Sequence, residues 1–337
     1  MSERDLTELI TRRRMHGLYL TRRCEDIVTL ARELMGLHSW FCRNVCFSAI
    51  IRGANIYGWK ASLTKTWLYR GTLHGVAYDD LPELLALHTG DTYLDRWLGK
   101  DIVRSAAAEV LRYMEDGVYS RAEFRRIFDG VYDAKVIDAL FSPWGGVFVY
   151  LARLGKVAFR DMESRDFDLI SAEPTQGRED VLPGLLRRYF TAYGPATLAD
   201  AAWFLGLWKD DAKKLRDIPL DDLDRFELNK SVYYYSGDED TADVPALTLL
   251  SGFDPIIVSY TERGAILPAE YKSRVILKSG ICNPTIAVNG RVAGIWNIKG
   301  REPIVEFFET QPAQTSRAAA EMVDAIRRRT SKEKAVR

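Results

Sequence analysis

The chain has 337 residues, 47% of them hydrophobic, and 47 basic side chains balance 47 acidic ones to a formal net charge of zero. That apolar content excludes a mostly disordered chain and supplies substantial cores, in one large domain or two to four small ones. The charge balance argues against a nonspecific polyanion binder, although charge placement matters more than the sum. Apolar runs fall short of a membrane span, and the charged start MSERDLTELITRRR lacks the apolar core of a secretion signal, so a cytoplasmic protein without membrane contact is expected.

In chain order, helical periodicity with good helix formers runs over 26–37, 45–56 and 81–87, and 67–78 reads as a strand pair. Helices followed by a hairpin predict a winged helix over 1–95. A second unit over 96–176 follows the same plan. IVRSAAAEVLRYMEDG predicts a helix ending at Gly117, Ser120 an N-cap before RAEFRRIF, 135–140 a further helix, and GKVAFRDMESRDFDLIS the hairpin. In the third unit, over 177–240, LPGLLRRYFTAYG ends at Gly194, Pro195-Ala196-Thr197 opens a helix through Leu205, DDAKKLRDI forms the next, and FELNKSVYYYS is the hairpin.

Acidic residues 236–243 read as a linker. Over 241–311 the pattern turns to strands, and Asn289-Gly290 between alternating apolar residues is a hairpin signal. Residues 312–337 give a polar turn, one helix (AAAEMVDAIRRR) and a basic tail. The predicted class is α+β: three tandem winged-helix units, a small C-terminal β-barrel and a terminal helix.

Cys24, Cys42, Cys46 and Cys282 form neither a CxxC pair nor a disulfide framework, and reduced thiols are expected. His38, Cys42 and Cys46 lie four apart on what reads as one helical face, a spacing that suits core packing better than a metal site. Basic residues cluster at Arg12 to Arg14, Arg22 and Arg23, Arg43 and Arg52, and between Arg263 and Lys278, either as a local basic surface or as solvated charges. Signatures of phosphate loops, dinucleotide folds, zinc proteases and serine hydrolases are absent from the sequence.

Three strings occur in one order: WLYRGTLH (67–74), YGPATLADAAWFLGL (193–207) and LLSGFDP (249–255). Together, over residues 20–310, they resemble the winged-helix DNA glycosylases of the crosslink-unhooking, azinomycin-resistance type. The resemblance implies a concave DNA-binding surface made by three winged helices and the barrel. The first winged helix would face the lesion and a barrel hairpin would reach toward the minor groove. It also implies a catalytic Gln-x-Gln or Gln-x-Asp pair after a Gly-Leu at the end of the second helix. Here Gly36-Leu37 is followed by His38-Ser39-Trp40, which departs from that pair.

Base excision needs a polar group that holds water at the anomeric carbon as positive charge builds on the sugar. An imidazole with an ordinary pKa of about 6.5 keeps a neutral, proton-accepting fraction. His38 is therefore the catalytic candidate, with a DNA or ligand contact and a structural role as the rival readings. Trp40 cannot accept a proton from water, and its indole suits stacking on a base or core packing. On an alternating strand Arg70, Thr72 and His74 share one face, with Arg70 on phosphate and His74 near the lesion; the rival places Thr72 and His74 on buried backbone groups.

Arg43 is a further DNA-contact candidate. Arg263, Lys272, Arg274 and Lys278 are candidates for phosphate neutralisation, or for solvated strand edges. Asp254, before a proline, most simply caps a turn. The expected function is a DNA glycosylase of bulky alkylated purines in double-stranded DNA, monomeric, needing no cofactor and no metal. The alternatives are a non-catalytic DNA-binding or transcription-regulating protein on the same scaffold, and, more weakly, a binder of small aromatic ligands.

Overall fold

The computed structural model describes residues 2–88, 92–236 and 242–335. The centre of the acidic linker lies outside the described residues. The chain divides into two compact units, one of Met1–Trp59 with Pro183–Arg337 and one of Lys60–Leu182.

In the first unit, the helix Glu3–Gly17 starts at a capping box in which Ser2 and Asp5 bond each other's backbone. Within its Arg12 to Arg14 stretch, Arg13 and Arg14 are buried, which fits neither a local basic surface nor solvated charges. Arg14 is buried, its Nε donates to the Pro195 carbonyl at 2.9 Å, its guanidinium lies 3.7 Å over the Tyr260 ring, and Asp200 is 3.9 Å away. Arg13 is also buried, over Tyr235 at 4.3 Å. The next helix, Ile27–Glu33, is capped by Asp26, which accepts from the amides of Val28 and Thr29. It stops at Glu33 rather than at 37, because Met35 (φ 51°) and Gly36 (φ 112°) turn the chain through left-handed conformations. Leu37–His38 then runs extended, and the following helix is Cys42–Ile51 rather than 45–56.

Thr197 caps Leu198–Leu205 through a capping box with Asp200, as the Pro195-Ala196-Thr197 signal predicts. The hairpin Asp224–Leu228 to Ser231–Tyr235 turns at Asn229 and Lys230, both at positive φ. A four-stranded antiparallel sheet follows, in the order Glu302–Phe307, Arg291–Lys299, Thr285–Val288, Leu247–Leu250. Asn289 (φ 48°) and Gly290 (φ 77°) make its two-residue hairpin turn, whose handedness matches the strand twist. The terminal helix Ala313–Ala335 packs Ala319, Val323 and Ile326 toward this sheet and the Cys42–Ile51 helix.

In the second unit, Thr64–Trp67 lies between Leu73–Val76 and Val157–Phe159, with Phe167–Leu169 outside the latter, so the two hairpins share one antiparallel sheet. The helix Lys100–Glu115 is strongly amphipathic and buries Val103, Ala106, Val110 and Met114 in a core with Phe124, Phe141, Phe148 and Phe167. Ser120 caps Arg121–Ile127 through a capping box with Glu123, as expected. The division at Trp59 and Lys60 falls inside the 1–95 stretch read as the first winged helix, because the 64–76 hairpin joins the hairpin of the following stretch.

Candidate active site

His38, Ser39 and Trp40 lie between the left-handed turn at Met35 and Gly36 and the helix Cys42–Ile51. Because His38 sits on the extended segment before that helix, it does not share a helical face with Cys42 and Cys46, which corrects the spacing argument. Among the described residues, no group of three His, Cys, Asp or Glu side chains is arranged to hold a metal ion.

The half-buried imidazole of His38 stacks on the phenyl ring of Phe253, with centroids 4.1 Å apart and planes 3° from parallel. The Phe41 ring is tilted 43° to that of Phe253, with centroids 6.3 Å apart. Trp40 and Phe41 are each 37% exposed, so two large rings stand at the surface near His38, while Ser39, between His38 and Trp40, is buried. Arg43 is exposed in the first turn of the helix. A cavity of about 220 Å³ opens beside this stretch, lined by Phe41, Arg43, Asn283, Trp296, Asn297 and Glu306.

Phe253 belongs to LLSGFDP, and the buried Asp254 that follows it anchors that turn. Its carboxylate accepts from Arg52 at 3.1 and 2.8 Å, from the Ser251 amide and hydroxyl at 3.0 and 3.1 Å, and from the Ile256 amide at 3.3 Å. Asp254 thus caps the short helix Pro255–Val258, as the turn reading held, and also closes a buried ion pair. Arg52 is therefore not part of a basic surface. It is fully buried, and it also donates to the Leu18 carbonyl at 2.7 Å and to the Ser48 hydroxyl at 2.9 Å.

The other cationic candidates fare differently. Arg274 is exposed, pairs with Glu306 at 2.6 Å and lies 4.0 Å over Phe308, which places it next to the cavity that Glu306 lines. Lys272 and Lys278 are exposed on the short helix Lys272–Val275 and the turn after it. Arg263 is half-buried and turned inward, donating to the carbonyls of Ile257 at 2.7 Å and Thr261 at 3.4 Å, and burial pulls its pKa down.

Arg70, Thr72 and His74 belong to the second unit and do not share a strand face. Arg70 sits at φ 54° in a 3₁₀ turn, Tyr69–Gly71, between the two strands, which breaks the alternation. Thr72 bonds the Tyr69 carbonyl at 3.1 Å, and His74, 4% exposed, places Nδ1 3.1 Å from the Thr72 carbonyl. Thr72 and His74 thus satisfy backbone groups, the rival reading of that motif. Phe253 and Phe41 were missed from sequence. The one available signal was an aromatic residue immediately after glycine and before Asp-Pro in LLSGFDP.

Residues 60–330 match the family model of AlkZ-like DNA glycosylases. The chain belongs to the AlkZ-like DNA glycosylase family. The matched span begins after His38 and Trp40, so the family assignment and the reading of those two residues rest on different stretches of chain. Among AlkZ-like relatives, an interstrand DNA cross-link repair glycosylase of Streptomyces sahachiroi is 25% identical over 276 residues, 73% of each chain. In fold the chain is similar to the solved structure of Streptomyces sahachiroi DNA glycosylase AlkZ. The TM-score is 0.73 at 22% identity, over 95% of this chain and 96% of that one. No helix among the described residues is long and apolar enough to cross a membrane.

Proposed function

We propose that this AlkZ-like protein is a monofunctional glycosylase of bulky or crosslinked alkylpurines in double-stranded DNA, with His38 holding and activating the attacking water. The family match carries the reaction class, and the half-buried imidazole on its aromatic support carries the assignment of the residue. In an N7-alkylated guanine the base is already cationic, so the C1′–N9 bond breaks with its electron pair passing to the base, and no strong general acid is needed. Water forms the new C1′–O bond and gives its proton to a neutral imidazole nitrogen of His38, leaving an abasic site. No metal or nucleotide takes part in this scheme.

Trp40 stands where the resemblance puts a second polar catalytic residue, and its exposed indole suits stacking on a base or wedging beside one. Arg43, Lys272, Arg274 and Lys278 are exposed and suited to phosphate contact. The five-part division into three winged helices, a barrel built on the four-stranded sheet and a terminal helix belongs to the same reading, as do monomeric action and a cytoplasmic location.

The test is release of N7-methylguanine from duplex DNA, followed by alkaline cleavage at abasic sites, for wild type, His38→Ala and Trp40→Gln. Release by wild type and a loss of about 100-fold in His38→Ala supports the proposal, the usual scale for a proton-accepting group. No release by wild type with release gained in Trp40→Gln favours the non-catalytic DNA-binding alternative, in which Trp40 has disabled the scaffold.

A further inference from the structure

We infer that Phe253 is a positioning residue for His38: its phenyl face fixes the plane of the imidazole, and the buried Arg52–Asp254 pair holds the turn that presents it. The inference rests on the catalytic reading of His38. A half-buried histidine on a two-residue extended segment has a second side-chain torsion that is intrinsically broad. A coplanar ring at 4.1 Å removes that freedom, because rotation of the imidazole out of plane drives it into the phenyl face.

The backbone shows that this ring is held in place deliberately. Phe253 has φ 56°, a left-handed conformation that is rare and strained for a bulky residue. Such a conformation persists only where the surroundings over-determine it, and here they do. The Phe253 amide donates to the Cys282 carbonyl at 3.3 Å, and the next residue, Asp254, is tied by two bonds from Arg52, two from Ser251 and one from Ile256.

On the other side, a side chain at Gly252 would meet the Asn44 amide at 2.8 Å, so the turn sits directly against the Cys42–Ile51 helix. The helix that follows His38 therefore supplies both seats of the turn, Asn44 near its start and Arg52 just past its end. His38 and its support are referenced to one rigid element, the arrangement that precise placement of a catalytic group requires.

The experiment compares wild type, Phe253→Leu and Phe253→Tyr in two measurements: the NMR shifts of the His38 ring protons across pH, assigned with His38→Ala, and N7-methylguanine release from duplex DNA. In Phe253→Leu we expect the upfield ring-current shift of His38 to vanish and kcat to fall on the order of tenfold or more at unchanged KM. Phe253→Tyr, which keeps the ring face, restores both. Should Phe253→Leu not fold, Phe253→Asn replaces it, since asparagine tolerates a left-handed backbone without supplying a ring.

An unchanged His38 shift in the ring-less variant overturns the clamp even where His38 proves essential for release. A lost shift with unchanged kcat overturns the positioning role. A lost shift in a protein whose wild type releases no base leaves the clamp standing and overturns only the catalytic reading.

Discussion

Ser39, set between His38 and Trp40, is fully buried, and its hydroxyl has no hydrogen-bond partner among the described residues. A buried hydroxyl without a partner retains the cost of leaving water and gains nothing in exchange. Ser39→Ala is therefore expected to raise stability by about 1 kcal/mol, seen as a higher urea midpoint at unchanged slope; a lower midpoint would mean that the hydroxyl is bonded. At this scale His38 and Trp40 stand out as candidates because the letters after Gly36-Leu37 can be compared one by one with the motif that the resemblance implies. Phe253 does not, because a stack joins residues 38 and 253 and no local pattern encodes that distance. Arg14 and Arg52 read as surface charge for the same reason, since their burial partners, Asp200, Tyr260 and Asp254, lie far along the chain.

Among the elements, the Arg52–Asp254 pair joins the end of the Cys42–Ile51 helix to the turn before Pro255–Val258. Both partners are fully buried, so removing one leaves an uncompensated charge in a medium that cannot solvate it. Arg52→Met is expected to destabilise the protein by about 3–5 kcal/mol. Adding Asp254→Asn should recover part of that loss, since asparagine is neutral and still accepts the capping bonds of Ser251 and Ile256. Urea unfolding of both single variants and the double variant measures the coupling, and strictly additive losses would show that the pair does not act as a unit. The element starts at Ser120 and Thr197 and the Asn289-Gly290 turn were readable, because caps and two-residue turns depend on neighbouring residues only. The end of the second helix was not: Gly36 is tolerated in a helical pattern, and only the left-handed backbone at Met35 and Gly36 shows that the helix has already stopped.

For the whole molecule, acid stability carries a specific prediction from His88 in the second unit. Burial, reinforced by the charges of Arg153 and Arg178, lowers its pKa from the ordinary 6.5 to about 3. Below pH 6.5 the unfolded chain binds a proton at His88 that the folded protein refuses until about pH 3, so this contribution is complete above 6.5 and is lost as pH falls toward 3. The slope is about 1.4 kcal/mol per pH unit. Between pH 7 and pH 5, His88→Leu should therefore lose about 2 kcal/mol less stability than wild type in urea titrations; equal losses would show that His88 does not govern the acid limb. The sequence by itself determined the family, through three ordered strings that resemble it, and the elements whose signals are local: caps, turns and amphipathic periods. Only the tertiary structure decided which cations are buried, that the hairpin at 64–76 shares a sheet with the one at 157–169, and that a phenyl ring supports His38. Those facts depend on contacts between residues tens to hundreds of positions apart, where burial and ion pairing are set by the folded chain and not by neighbouring letters.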